Sequence, residues 1–296
     1  MYSFKKILIT GGNGFIAKNL LEGLGEYDIL APNSKELNLL DSKKVFNFIK
    51  KHKFDVIIHA ATYDAAPTFS TKDPNKVLEN NLKMFFNITR CEGYFGKMIY
   101  FGSGAEFGRE NWTPKMKEAK FDKHIPTEWP YGFSKYIMTK YTSLKDNIYN
   151  LRLFSVFGKY DDWRYRFISN ACCKAVLNMP ITLKQNSVLD YLYIKDLVKI
   201  TKWFIENQPK NNTYNLCSGK VFDCKALAEK INLISSKDLN IEIIDPSKKP
   251  EYSGDNTLLL NEIKDFKFTP INKSIESLYN YYNSNKQIIK KELFQY

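Results

Sequence analysis

The sequence predicts an α/β protein built on a doubly wound, mostly parallel sheet, with a smaller mixed α/β lobe attached. Three observations carry that prediction. Short aliphatic runs alternate with helical patterns through the first half of the chain. A glycine-rich turn joins the first of these runs to the first helix. Beyond about residue 158 the alternation loosens into a mixture of short strands and helices. Strands separated by whole helices need crossover connections, which put parallel neighbours in one sheet covered on both faces.

In chain order, Lys6–Thr10 (KILIT) reads as a buried strand, followed by the glycine turn and a helix through Asn19-Leu20-Leu21-Glu22. Asp28–Ala31 is a second strand. Asp41-Ser42 supplies a cap ahead of Val45, Phe46, Phe48 and Ile49 at helical spacing. Val56–His59 is a third strand, and Asp73-Pro74 opens a helix over Asn75–Cys91. Lys97–Phe101, a helix at Tyr131–Leu144 and a strand at Tyr149–Phe154 complete the alternation. The lobe reads as helices at Phe167–Leu177, Asp196–Glu206 and Asp223–Ile234 among strands at Ile181–Leu183, Tyr214–Cys217 and Ile241–Ile244. The expected division is 1–158 and 159–296, without a Gly/Ser linker, and with segments around 187–217 returning to the first sheet.

Composition narrows the class. At 296 residues, 44% hydrophobic and 26% charged, the chain is neither disordered, collagenous nor coiled coil. No apolar run is long enough to span a bilayer, and the first residues lack a signal-peptide core, so a cytoplasmic protein without a membrane partner is expected. Five cysteines form no zinc pattern and fit a reducing compartment, and His52, His59 and His124 lie far apart, so no metal site is expected. The net charge of +12 comes with only five arginines among 44 basic residues. Scattered lysine marks a solvated surface more often than a nucleic-acid interface, and no nucleic-acid partner is expected.

Gly11-Gly12-Asn13-Gly14-Phe15-Ile16-Ala17 follows the first strand and opens the first helix. Such a turn brings backbone N–H groups and a helix N-terminus against a pyrophosphate, where side chains would block the approach. The second strand ends Leu30-Ala31-Pro32-Asn33-Ser34-Lys35 with no acid at its tip. NAD sites commonly place a carboxylate there for the ribose 2′-hydroxyl. Ser34 and Lys35 suit a 2′-phosphate instead, so NADP(H) is favoured, with NAD(H) the alternative if Glu36 or Asp28 takes the acid's place.

Tyr131 and Lys135 stand at i and i+4 on one helix face. A phenol is a poor acid or base at neutrality, and a fixed cation beside it favours phenolate. Ser103 ends the fourth strand, where carboxyl ends of strands meet a ligand, and its hydroxyl suits the same substrate oxygen. Together with the glycine turn, this order of residues is hard to assign to chance.

With these residues the chain resembles the extended short-chain dehydrogenase/reductases, the NAD-dependent epimerase/dehydratase family of Rossmann enzymes acting on nucleotide-activated sugars. The resemblance covers most of the chain. It takes in the glycine turn, Asn38-Leu39 at the adenine-contacting position, Asp55–Ala61 with His59, Ala60 and Ala61, Asn81, Ser103, Tyr131 and Lys135, then Arg152–Gly158, Asp190–Asp196, Tyr214–Gly219 and Phe266–Pro270. Glu36–Asp41 is similar to GDP-fucose synthases, which are NADPH-dependent. The resemblance implies hydride exchange between a nicotinamide and a sugar carbon, with the tyrosine relaying the proton and the lysine orienting the nicotinamide ribose. It also implies a homodimer through the helices at Asn75–Cys91 and Tyr131–Leu144.

Departures from the family pattern narrow the reaction. The Asp-Glu pair of sugar dehydratases is replaced by Gly104-Ala105, with Glu106 one place late. The cysteine and histidine of 3,5-epimerisation are replaced by Ala105 and Arg164. The substrate positions include Ser155 for an asparagine and Leu189 for the pyrophosphate-binding arginine, with Lys159, Arg164 and Arg166 as replacement charge. Tyr63, Asp64, Phe69, Glu106 and Arg109 are expected near the sugar. The expected activity is NADPH-dependent reduction of a nucleoside-diphosphate 4-keto sugar, a 6-deoxyhexose or heptose, in surface-polysaccharide precursor synthesis. A nucleotide-sugar 4-epimerase of the UDP-hexose type is the alternative. An NADP-sensing regulator is the second, disfavoured because such proteins tend to lose the tyrosine or the lysine.

Overall fold

The structure is a computed structural model that describes residues 5–64, 70–247 and 249–294. Its first strand, β1 (Lys6–Thr10), is aliphatic from Ile7 to Ile9 and buried from Ile7 onward, as expected of a strand covered on both faces. Two strands flank it in parallel: β2 (Asp28–Leu30) on one side and β3 (Phe54–His59) on the other. Outward from β3 follow β4 (Phe95–Ser103), β5 (Ile148–Leu153) and, much later in sequence, β9 (Thr213–Leu216). The resulting six-stranded sheet has the order β2-β1-β3-β4-β5-β9 and is parallel throughout.

The helices α1 (Phe15–Gly23), α2 (Ser42–His52), α3 (Val77–Thr89) and α4 (Pro130–Thr142) make the crossovers. Asp41 caps α2 by accepting from the Lys44 N–H. The helix expected from Asn75 starts with a tight turn at Pro74–Lys76, because Pro74 fixes the backbone and Asp73 caps it through the Asn75 N–H; the α-helix proper begins at Val77.

The remaining strands are β6 (Ser155–Phe157), β7 (Ile181–Gln185), β8 (Val188–Tyr193), β10 (Val221–Asp223) and β11 (Ile241–Asp245). They form a β10-β8-β6 sheet and a parallel β11-β7 pair. Helices α5 (Phe167–Val176), α7 (Cys224–Ser235) and α9 (Ile271–Ser284) pack around them, and α8 (Thr257–Glu262) lies against β9. Helix α6 (Ile194–Glu206) lies instead against α1, where a side chain on Gly23 would meet Val198 at 2.5 Å. One hydrophobic core runs from α1 and β1 through β5 and α6 to α9, and a second fills the other face of the sheet between α2, α3 and β3–β4. Among the described residues no helix is long and apolar enough to cross a membrane.

Candidate active site

The strand order reverses at β1, whose chain neighbours β2 and β3 lie on opposite sides, so a crevice opens at the carboxyl ends of the strands there. A cavity of about 800 Å³ fills it. It starts at the glycine turn, passes the loops after β2 and β3, and ends between Ser103, Tyr131 and the start of α5.

The glycine turn is shaped by contacts that side chains would destroy. Gly11 has φ +72°, and a Cβ on it would lie 3.0 Å from the Ala61 Cα. A Cβ on Gly12 would lie 2.0 Å from the Ala31 carbonyl oxygen. Helix α1 begins after Gly14 without a side-chain cap or an acid in its first turn, leaving its N-terminal N–H groups turned to the cavity. This cradle fits the pyrophosphate of a dinucleotide.

Strand β4 ends in a capping box. The Ser103 hydroxyl accepts from the Ala105 N–H at 3.2 Å, and Glu106 accepts from the Ser103 N–H at 2.9 Å. Helix α4 starts at Pro130 and packs so closely on this turn that a Cβ on Gly132 would lie 2.8 Å from the Ala105 carbonyl oxygen. That approach brings Tyr131 and Ser103 to the same end of the cavity. One turn on, Lys135 is 4% exposed and donates to the Phe101 carbonyl at 3.0 Å. Its ammonium stands 4.7 Å from the Tyr100 ring and 5.7 Å from the Tyr131 ring.

The electrostatics depart from the expectation of a phenol softened by its neighbouring cation. Burial, with Asp64 adding to it, pushes the Tyr131 phenol up to about 12, and the neighbouring Ser103 hydroxyl works in the opposite direction. Burial also brings Lys135 down to about 8. The ammonium itself is directed at the Phe101 carbonyl. Tyr131 is therefore a protonated phenol at neutral pH. His59 is buried against Thr10 (Nδ1 to Oγ1, 2.9 Å) and is held neutral, its value lowered to about 3 by burial.

The other expected site residues divide into those lining the cavity and those working elsewhere. Gly11, Asn13, Gly14, Phe15 and Ile16 line it, as do Asn33, Ser34, Asn38 and Leu39. After β3, His59, Ala60, Ala61, Tyr63 and Asp64 do the same. Gly12 shapes the turn from behind. Asn81 is buried in α3 and holds the loop after β3, accepting from the Tyr63 N–H at 2.8 Å and donating to the Tyr63 carbonyl at 2.9 Å. Lys35 is exposed and is not part of the lining, and Glu36 beside it is committed to the Asn33 N–H at 2.8 Å.

Most of the expected substrate residues need correction. Glu106 is fully buried behind Ser103, paired with Arg152 at 2.7 Å. Arg164 is bound by Asp162 through Nε and Nη2, and Lys159 is paired with Glu22 at 2.7 Å, on the outer side of α1. Ser155 opens β6 outside the cavity lining. Arg109 stacks over Trp129 at 4.0 Å beside a separate shallow hollow with His124. Phe69 lies outside the described residues. Arg166 alone among the replacement cations lines the cavity, next to Asp161, whose carboxyl burial raises to about 6. Asp161, Tyr165 and Lys72 also line it. Tyr165 and Asp161 belong to the aromatic and charged run Gly158–Arg166, which was a visible signal; Lys72 carried none.

The model of the NAD dependent epimerase/dehydratase family matches residues 7–217, which takes in the glycine turn, Ser103, Tyr131 and Lys135. The chain belongs to this family. As a member it is an NAD(P)-dependent enzyme of the oxidoreductase/epimerase class. It is 28% identical over 276 residues to an ADP-L-glycero-D-manno-heptose-6-epimerase of Brachyspira hyodysenteriae, covering 80% of this chain and 83% of that protein. It is 25% identical over 295 residues to a GDP-6-deoxy-D-talose 4-dehydrogenase of Aggregatibacter actinomycetemcomitans, covering 93% and 97%. Its fold is similar to that of a GDP-mannoheptose C4 reductase of Campylobacter jejuni solved with NADP bound. That comparison has a TM-score of 0.82 at 17% identity and covers 95% of this chain and 99% of the other.

Proposed function

We propose that this family member reduces the 4-keto group of a nucleoside-diphosphate sugar, a 6-deoxyhexose or a heptose, using NADPH. The observation that carries the reading is the combination at the end of β4. Ser103 and a protonated Tyr131 meet in one cavity with the glycine cradle, while Glu106, behind Ser103, is sealed away by Arg152. Elimination or C3/C5 epimerisation needs a further acid or base next to the carbonyl, and positions 104 and 105 hold glycine and alanine. Relatives named for oxidation or reduction at C4 support the same assignment.

The glycine turn and the N-terminus of α1 would hold the pyrophosphate, Ser34 the adenosine 2′-phosphate, and Lys135 the nicotinamide ribose. NADPH, when bound, supplies the hydride. Tyr131 gives its proton to the carbonyl oxygen as that oxygen gains charge, and Ser103 steadies the same oxygen by donating a hydrogen bond. Arg166 meets the substrate's diphosphate with a guanidinium that Asp161 keeps oriented. A homodimer through α3 and α4, which pack side by side on one face of the sheet, belongs to the same proposal.

The test is a panel of GDP-, ADP- and dTDP-linked 4-keto sugars incubated with NADPH, followed by loss of nicotinamide absorbance and NMR of the product. Stoichiometric oxidation with a new carbinol proton at C4 is expected. Interconversion of UDP-hexoses without net cofactor consumption would replace this reading with the 4-epimerase.

A further inference from the structure

The cations of the cavity are not alike. Among its described lining residues, Lys72, Lys135 and Arg166 carry positive charge. Lys135 is directed at the Phe101 carbonyl, and Arg166 stands next to Asp161. Lys72 instead faces neutral groups. Its ammonium lies 3.5 Å from the Thr62 carbonyl oxygen and 5.0 Å from the centre of the Tyr63 ring. The charge of Asp64 reaches it, but among the described residues Lys72 makes no ion pair.

The aromatic shelf beneath this ammonium is tied at both ends. Asn81 clamps the Tyr63 backbone, and the Tyr63 hydroxyl accepts from the N–H of Asp73, the residue after Lys72, at 3.0 Å. The shelf also has a fixed place beside the glycine turn. The Ala61 N–H donates to Thr10 Oγ1 at 3.1 Å, and Ala61 packs on Gly11. Thr62 and Tyr63 follow directly, so Lys72 is held on the β3 side of that turn. The loop after β2, with Asn33 and Ser34, lies across β1, and Arg166 comes from the segment entering α5.

A dinucleotide's pyrophosphate carries a full negative charge on each phosphate. The glycine turn and α1 offer it backbone N–H groups, which supply partial charges only. We infer that Lys72 is a further dinucleotide-binding residue, supplying the full positive charge that meets the pyrophosphate from the β3 side. The inference rests on the dinucleotide cradle and not on the reaction proposed for it.

The test measures binding alone. Fluorescence titration gives Kd for NADPH and NADH, and competition gives it for 2′-AMP, which keeps the 2′-phosphate but has no pyrophosphate. K72M weakens both dinucleotides by the same factor, about tenfold, the worth of a hydrogen bond to a charged group. Affinity for 2′-AMP stays unchanged, K72R restores most of the loss, and the loss shrinks in high salt as screening takes over. Circular dichroism reports the fold of each variant, and K72Q replaces K72M if the methionine impairs it. A loss confined to NADPH assigns Lys72 to the 2′-phosphate and overturns the inference, as does an equal loss for 2′-AMP. Unchanged affinity for both dinucleotides also overturns it; a raised KM for the nucleotide sugar in that case assigns Lys72 to the substrate's diphosphate. The expected binding pattern in an enzyme that reduces no keto sugar overturns the proposed function and leaves this inference standing.

Discussion

Glu106 and Arg152 form an ion pair at 2.7 Å in which neither side chain reaches solvent. The pair links the turn after β4 to the penultimate residue of β5, and Asn215 of β9 accepts from Arg152 Nη1 at 3.0 Å. The guanidinium is also sandwiched between Phe107 and Phe121, at 4.6 and 5.2 Å. Since the same glutamate receives the Ser103 N–H, the pair is the rigid backing on which the reactive hydroxyl sits.

Removing one member of such a pair strands the other charge without water. Glu106→Ala is expected to cost about 3–5 kcal/mol of folding stability, whereas a matched apolar replacement of both residues costs far less. Urea unfolding of the single and double variants measures the difference. Equal losses from the single and the double variant would show that packing, not charge, dominates here.

Lys135 carries the opposite consequence. Its pKa in the folded chain is about 8, below the value of a free lysine, so the unfolded chain binds more protons between those two values. Stability contributed at this site therefore rises as pH increases from about 8 toward 10.4 and is at its poorest below that window. Lys135→Met should make the protein more stable at pH 7, by an amount on the order of 1–3 kcal/mol, while abolishing turnover. Thermal unfolding across pH, with and without the substitution, checks both the sign and the window.

The protonation state of Tyr131 sets the direction dependence of the reaction. A phenol raised to about 12 by burial is an acid ready to give its proton at neutral pH, so reduction should hold a plateau through neutrality and decline only on the alkaline side. Oxidation of the product sugar needs the phenolate and should climb with pH. Initial rates in both directions over a pH series test this, and Tyr131→Phe should remove both. A reduction rate that increased steadily with pH would contradict the assignment of Tyr131 as the acid.

Cofactor choice rests on the loop after β2. Ser34 lines the cavity, and the carboxylate of Glu36 is turned back onto the Asn33 N–H. Ser34→Asp should weaken NADPH binding tenfold or more by placing a charge against the 2′-phosphate, at about 1.4 kcal/mol per tenfold, with little effect on NADH. Fluorescence titration of both dinucleotides decides it. Lys35→Ala, at an exposed side chain outside the lining, should change neither.

Arg166 lines the cavity beside Asp161, where the proposed reading puts the substrate's diphosphate. Arg166→Met should raise KM for the nucleotide sugar by about ten- to a hundredfold, the worth of a charge-assisted hydrogen bond, with a smaller change in kcat. Steady-state kinetics at saturating NADPH gives the split.

What sequence made legible follows from the range of the interactions involved. The strand–turn–helix signal around Gly11–Gly14 and the Tyr131/Lys135 spacing are local, and the folded chain places them together in the cavity. Strand β8 escaped notice because Asp190 interrupts its apolar run; its carboxylate is satisfied by the N–H groups of Ser218 and Gly219, both remote in sequence. The fate of Glu106 was hidden for the same reason, its partner being 46 residues away. Lys159 and Arg164 looked like substrate ligands because a formal charge says nothing about which acid lies within reach, and Glu22 and Asp162 lay within theirs.

The pairing of β9 with β5 has a consequence for biosynthesis. A nascent chain released up to Leu153 presents β5 with one hydrogen-bonding edge bare and with Arg152 lacking its Asn215 acceptor. That edge is a template for foreign strands until residues 213–216 emerge from the ribosome. Correct maturation therefore depends on keeping the early product shielded for the time needed to translate the intervening sixty or so residues.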